Sequence, residues 1–364
     1  MDIPYVDLAA QHAALEEEIL EAVRRVLRHG QFILGDEVNR LEQILAERLG
    51  VEHVIGVSSG TAALVLTLRL HDIGPGDEVI TVSHSFVATA SAVRLVGATP
   101  VFVDIDDETM VLDPGHLNAA VSPKTKAVLP VHLNGFPCAI EEIAEFCDAH
   151  ELILIEDCAQ AIGATYGEQS VGTRGVGCFS LHPLKILSAC GDAGFITTDD
   201  EKLADRLRTL RNLGLCDRNH VDTVSGNMRL DAMHAAILQV KIQHLDTFLK
   251  RRRAHAAAYR RELPSGLRLP PTSPDAGDVH SAYVIRHAER DAFVQAMRAR
   301  GIDVKIHYPI AIHQQEPFAD VRHTGLDVTE RVVNEICSLP VSSELSVEQR
   351  NRVIEAAREV EQEL

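Results

Sequence analysis

One lysine, Lys185, lies between the apolar run Val176 to Leu181 and a glycine-punctuated exit containing Gly191 and Gly194. The run before it, and Phe195 to Thr198 after it, read as short buried strands, which puts Lys185 on a loop held within a core. A desolvated amine is costly to keep charged, so it becomes a nucleophile toward carbonyls, the condition for Schiff-base chemistry. Taken alone, a single loop lysine is far more often a solvated surface residue. Ser58, Ser59, Gly60 and Thr61 fall between the apolar run HVIGV and the helical pattern TAALVLTLRL. Small residues at a strand-to-helix turn expose backbone N–H groups that suit a phosphate, although such a turn on its own is more often a plain helix cap by Ser59 or Thr61. They match neither a Walker loop nor G-x-G-x-x-G. The run LILIED ends on Glu156 and Asp157, with Gln160 three residues on, and SHSFVATA places Phe86 just after EVITV. A strand-end aspartate is a capping or salt-bridged group, or the partner of a cationic heterocycle, while Phe86 is core or an aromatic plate at the rim. A phosphate cradle, a strand-end carboxylate, an aromatic plate and a loop lysine are together what a protein must supply to pyridoxal phosphate.

These residues need a scaffold that brings them to one edge. LEEEILEAVRRVL and EVNRLEQILAERL have apolar residues at three- and four-residue spacing and predict two helices, with Gly30 and Gly35 marking the turn between them. From about Val51, short apolar runs (HVIGV, EVITV, TPVFVDI, AVLPVHL, LILIED, GCFSL, GFITT) alternate with helical patterns such as VATASAVRLV and AIEEIAEFCDAH. That alternation predicts an α/β fold, a large mostly parallel sheet flanked by helices, with ligands bound outside the carboxyl ends of the strands. One long helical stretch is expected from Asp231 to about Leu263. The Pro/Gly-rich PSGLRLPPTSPDAGD follows, and then a strand, a helix, the irregular HYPIAIHQQEPF and closing helices. The division expected is a large domain over 1–245 and a smaller C-terminal α/β domain over 246–364.

At 364 residues the chain can bury a sizeable core. Its formal net charge of −18 disfavours nucleic acid and anionic membranes as partners. MDIPYVDLAAQ lacks the basic start and apolar block of a signal peptide, and no apolar run is long enough to span a bilayer, so a cytoplasmic location is expected. Seven cysteines without a Cys-x-x-Cys pair suit reduced thiols better than disulfides or a zinc cage, and no metal is expected.

The wording and order of IPYVDLAAQ, FILGDEV, GVSSGTAAL, SFVATASAV, PVFVDID, PVHLNG, IEDCAQAIGA, FSLHPLK, GDAGFITT, GNMRLDAMHAAIL, VHSAYVI and HYPIAIH resemble the sugar aminotransferases of the DegT/DnrJ/EryC1/StrS family, nearly end to end. The resemblance implies a fold-type I pyridoxal 5'-phosphate enzyme, a homodimer. Such an enzyme takes an amino group from L-glutamate, passes through pyridoxamine 5'-phosphate and aminates a ketosugar nucleotide, giving an amino sugar for polysaccharide or secondary-metabolite glycosylation. By the same resemblance Lys185 is the Schiff-base lysine and Asp157 pairs with the pyridine nitrogen. Gln160 contacts the ring hydroxyl, Phe86 stacks on the ring, and Gly60, Thr61 and Ser180 hold the phosphate. Asn227 resembles a residue reaching the phosphate from the neighbouring subunit, and His307, Tyr308 and His313 resemble residues of the sugar-binding mouth. Positive charge for the nucleotide diphosphate could come from Arg229, Lys305 or the run Lys250 to Arg253. Two positions depart from the family pattern: His234 stands where glutamine is usual, and Ile186 where asparagine is frequent after the lysine. Lysine at 185 argues against the family's dehydratases, which carry histidine there. An aminotransferase acting on a free cyclitol ketone, or a non-catalytic regulator of the same fold, are the alternatives.

Overall fold

The computed structural model describes residues 2–364. Its centre is a seven-stranded sheet. Across it the strands are His53–Val57, Gly194–Thr198, Val176–Ser180, Ile153–Asp157, Thr125–Leu129, Glu78–Val82 and Thr99–Val103. All neighbours run parallel except Gly194–Thr198, which is antiparallel to the strands on both sides of it. Most of these strands are buried from their second residue onward, as a sheet covered by helices on both faces requires. Helix Gly60–Leu70 is buried along nearly its whole length, which explains its lack of a polar face.

The one reversed strand matters for position. Gly194 pairs with Val57 on one side and with Ser180 on the other. The loop of residues 181–193, with Lys185 on it, therefore opens at the edge where the neighbouring parallel strands end. Phe179 and Phe195, paired across the base of this loop, stack with ring centroids 4.4 Å apart and are both buried. Truncating either to alanine costs about 3–5 kcal/mol and loosens the loop at its root.

The helical stretch expected from Asp231 to Leu263 is two helices, Ala232–Ile242 and Leu245–Glu262. The break has a physical reason in the last turn of the first helix. Lys241 is fully buried there, its ammonium on Ser188 Oγ at 2.7 Å and Gln11 Oε1 at 3.2 Å. The backbone tightens at the same place, His244 N–H donating to the Lys241 carbonyl.

The second helix leads to the C-terminal unit. There strands Tyr283–Arg286 and Ile336–Leu339 pair antiparallel, with helices Arg290–Ala299 and Val347–Glu363 packed around them. Ile3, from the other end of the chain, joins the same apolar cluster and bridges to Ile302. Asp107, just past the last strand of the large sheet, ties the two units together, accepting from Arg268 at 2.9 Å, Arg286 at 2.8 Å and Arg331 at 2.7 Å. Among the described residues no helix is long and apolar enough to cross a membrane. All seven cysteines are free; five are buried, and Cys190 and Cys216 are exposed.

Candidate active site

The lysine loop is closed by its own backbone. Leu181 N–H donates to Ala193, Ala189 N–H to Leu181 at 2.7 Å, and Lys185 N–H to His182 at 2.8 Å. Ile186, Leu187 and Ala189 are buried beneath it, so Ile186 acts as core here. Lys185 itself is half-buried. Desolvation pushes its amine below the ordinary lysine value, and the negative charge of Asp157 opposes that shift. The loop exit is tight as well, since a Cβ on Gly191 would come within 2.9 Å of the His234 ring.

Asp157 ends its strand and is buried. Its carboxylate accepts from Thr89 Oγ1 at 2.8 Å and from the Ala159 N–H at 3.1 Å. Ser85 Oγ lies 2.8 Å from Thr89 Oγ1, which extends the chain of hydroxyls. Burial raises the Asp157 carboxyl, and the Thr89 bond, the Ala159 amide and the Lys185 charge pull it back toward ionisation. Thr89 escaped the sequence reading; the available signal was the four-residue spacing of Ser85 and Thr89 across the apolar residues 86–88. Thr89→Val keeps the shape and removes the donor, a charge-assisted bond worth about 2 kcal/mol. Turnover is expected to fall about tenfold and the melting temperature by roughly a few degrees; an unaltered kcat would take Thr89 out of the site.

Gln160 is fixed at both ends of its amide. Oε1 accepts the Asn134 N–H at 2.8 Å, and Nε2 donates to Tyr308 Oη at 3.2 Å. The Tyr308 ring lies 5.6 Å from that of Phe86, tilted by 39°, and Phe86 is half exposed at the rim. The Tyr308 hydroxyl is raised by burial and by the nearby Tyr5 and Asp157. His307 Nδ1 is 3.0 Å from Ser338 Oγ, and its ring packs against Tyr5 at 5.3 Å. Burial, with the positive charges of Lys185 and Lys305, lowers His307 to about 4, so at neutral pH its imidazole is uncharged. Tyr5 was also missed. It comes from the opposite end of the chain, and only folding brings it near.

Next to these groups is a turn of bare backbone. Ser59 caps helix Gly60–Leu70 by accepting the Ala62 N–H at 3.0 Å. The amides of the first helical residues are left without intrahelical acceptors. A Cβ on Gly60 would lie 2.7 Å from Ser180 Cβ, and one on Gly194 would lie 2.6 Å from the Ser59 carbonyl. Glycine is thus needed twice for the turn to approach the strand of Ser180, whose hydroxyl lies beside Gly60.

Lys185, Asp157, Gln160, Phe86, His307 and Tyr308 are therefore gathered at one edge, with Gly60, Thr61 and Ser180 beside them. Three other expected residues have contacts of their own, Arg229 on a bridge to Val57 of the strand leading into the cradle. His313 is engaged by Ser83 Oγ at 2.7 Å and Glu330 Oε1 at 3.1 Å. Arg229 donates to Asn212 Oδ1 at 2.9 Å, and Asn227 is exposed on a strand-like bridge to Asn212. The gathered donors fit pyridoxal phosphate: helix-terminal amides and hydroxyls suit a dianion, a desolvated amine suits an aldehyde, and a buried carboxylate suits a protonated ring nitrogen.

Comparison with known proteins agrees with this geometry. The chain is 43% identical over 358 residues, covering 98% of it and 97% of the relative, to a UDP-N-acetyl-3-dehydro-alpha-D-glucosamine 3-aminotransferase of Acidithiobacillus ferrooxidans. The crystal structure of DesV from Streptomyces venezuelae superposes with a TM-score of 0.96 at 40% identity, over 98% of each chain. NtdA of Bacillus subtilis, solved with bound cofactor PMP, superposes with a TM-score of 0.92 at 28% identity, over 99% of this chain and 85% of that one. The family model for the DegT/DnrJ/EryC1/StrS aminotransferases matches residues 13–358; the chain belongs to that family of enzymes, and its cofactor is pyridoxal 5'-phosphate.

Proposed function

We propose that this aminotransferase moves an amino group from L-glutamate to a ketosugar carried on a nucleotide, in the cytoplasm, as a homodimer whose two active sites are shared. The observation that supports this best is the pairing at one sheet edge of a half-buried Lys185, its amine lowered by burial, with the buried, hydroxyl-braced Asp157. When bound, pyridoxal phosphate supplies an aldehyde for the amino group and a ring that stores the electron pair left by deprotonation. Gly60, Thr61 and Ser180 hold its phosphate, Phe86 covers a ring face, Gln160 bonds the ring hydroxyl, and Asp157 keeps the ring nitrogen protonated. Lys185 Nζ, pushed below the ordinary lysine value by burial, would take the proton from the α-carbon of the amino donor as general base. With the ketosugar as acceptor the same nitrogen moves the proton in the opposite sense. His307 and Tyr308 line the side from which the sugar enters, with His313 behind them, and Arg229 lies nearer the cradle. Residues 1–245 hold the cofactor, and 246–364 close over the substrate.

The test is the visible absorbance of the purified protein before and after L-glutamate. A band that bleaches on adding glutamate, and returns with a nucleotide-linked ketosugar, supports the assignment. A protein that stays colourless with added pyridoxal phosphate overturns it.

Asn227 is exposed in the single chain, which leaves it free to reach the phosphate of the partner subunit. Chains carrying Lys185→Ala and Asn227→Ala, mixed and reassociated, are expected to regain activity, because about a quarter of the sites then combine two intact halves. A mixture no more active than its parents would place Asn227 in its own subunit's site or in none.

A further inference from the structure

Behind the crevice, and outside every role given above, two ionisable side chains without exposed surface face each other: His132 Nε2 lies 3.0 Å from Glu156 Oε2. The other ring nitrogen, Nδ1, accepts the Cys138 backbone N–H at 3.0 Å. A nitrogen that accepts a hydrogen bond carries no proton, so His132 is the neutral Nε2–H tautomer and donates to Glu156. Glu156 also accepts the backbone N–H groups of Gly172 at 2.8 Å, Arg174 at 3.0 Å and Gly175 at 2.8 Å. Four donors thus converge on one carboxylate and satisfy a buried charge without a counter-ion. A ligand atom of Cys158 lies within 4.8 Å of those of His132 and Glu156. The converging N–H dipoles turn their positive ends toward the place a cation would take, so this is a hydrogen-bonded knot and not a metal centre.

Each bond of the knot ends on a segment that presents a residue of the cofactor cleft. The Cys138 amide closes the turn that holds Asn134 at φ 60°, and the Asn134 N–H in turn fixes Gln160. The backbones of His132 and Asp157 are tied directly, His132 N–H donating to the Asp157 carbonyl at 3.0 Å. The amides of residues 172–175 belong to the turn feeding strand Val176–Ser180, where Gly172 lies so close to Phe179 that a Cβ would meet its ring at 2.6 Å.

We propose that His132 is a two-way positioning residue. Through Nε2–H and Glu156 it fixes the strand end that presents Asp157 and the turn that leads to Ser180. Through Nδ1 it fixes the turn that orients Gln160. The proposal rests on the roles given above to Asp157 and Gln160, and its two arms can be cut separately. Glutamine at 132 offers an amide N–H in the place of Nε2–H but no acceptor for Cys138. Asparagine offers an oxygen in the place of Nδ1 but no donor for Glu156.

The experiment is hydrogen–deuterium exchange on the cofactor-free protein, followed by the absorbance of the same variants with pyridoxal phosphate. In His132→Gln the amides of 133–138 are expected to exchange about tenfold faster while those of 172–175 stay protected; in His132→Asn the pattern reverses. With cofactor bound, both variants are expected to shift its visible absorbance maximum, which a loss of stability alone does not move. Equal acceleration of both segments in both variants, or no acceleration in either, overturns the two-way role. The expected exchange pattern with an unshifted absorbance overturns instead the roles of Asp157 and Gln160. Should neither His132 variant fold, Glu156→Gln decides: faster exchange over 172–175 supports the knot, and wild-type exchange there overturns it.

Discussion

Replacing Lys185 by alanine is expected to lower turnover by about 10⁴-fold, the upper end of what a positioned general base contributes, and to leave the fold intact. The loop does not depend on that side chain for its shape. Its closure comes from backbone bonds between Leu181, Ala189 and Ala193, and its packing from Ile186, Leu187 and the Phe179–Phe195 stack. What the substitution removes is the one amine that burial has pushed toward its uncharged form beside Asp157. Lys185→Arg makes the sharper comparison, because arginine restores charge and length yet stays protonated at any working pH. Single-turnover kinetics with L-glutamate and the melting temperatures of both variants read the result. Near wild-type turnover in Lys185→Ala would falsify the assignment of this residue.

The second large effect belongs to Asp157→Asn, for which a loss of about 10²–10³-fold in kcat is expected, the range seen when a preorganised electrostatic contact is removed. The substitution is nearly isosteric but not neutral to its surroundings. The Ala159 N–H can only donate, whereas the Thr89 hydroxyl can rotate. The amide oxygen will therefore turn to Ala159 and its NH₂ to Thr89. This arrangement leaves both partners satisfied, so stability should change by no more than about 1 kcal/mol. Loss of activity without loss of stability separates a ring-nitrogen partner from a structural aspartate. An Asp157→Asn protein that turns over like wild type would exclude the former.

The sequence was most legible where local pattern decides. HVIGV, EVITV and GFITT match the strands His53–Val57, Glu78–Val82 and Gly194–Thr198, and LILIED ends on Asp157 as the alternation required. Lys185 and the Ser58–Thr61 turn could be placed because each is bounded by such runs. What remained hidden depends on contacts between distant residues. Thr89 reaches Asp157 across the sheet edge, Tyr5 and His307 meet from opposite ends of the chain, and the His132–Glu156 knot draws together three turns. No periodicity announces such meetings, since side-chain period reports only which face is buried. The break between Ile242 and Leu245 was lost for a related reason. Nothing local marks it, because the buried Lys241 finds its partners in Ser188, Gln11 and His12, all distant in sequence.

The reversed strand has a consequence for the order of assembly. Val176–Ser180 and Gly194–Thr198 are joined as a hairpin and can pair as soon as both have been made, so the lysine loop forms from contacts near in sequence. The phosphate cradle cannot. Its two walls meet only when His53–Val57 docks on Gly194–Thr198, a pairing that joins residue 53 to residue 198 and closes a far longer loop. Chains caught before that docking would own the lysine but no place for the phosphate. Cofactor binding thus selects chains whose sheet is complete, and free cofactor in excess of its dissociation constant draws the folding equilibrium toward them.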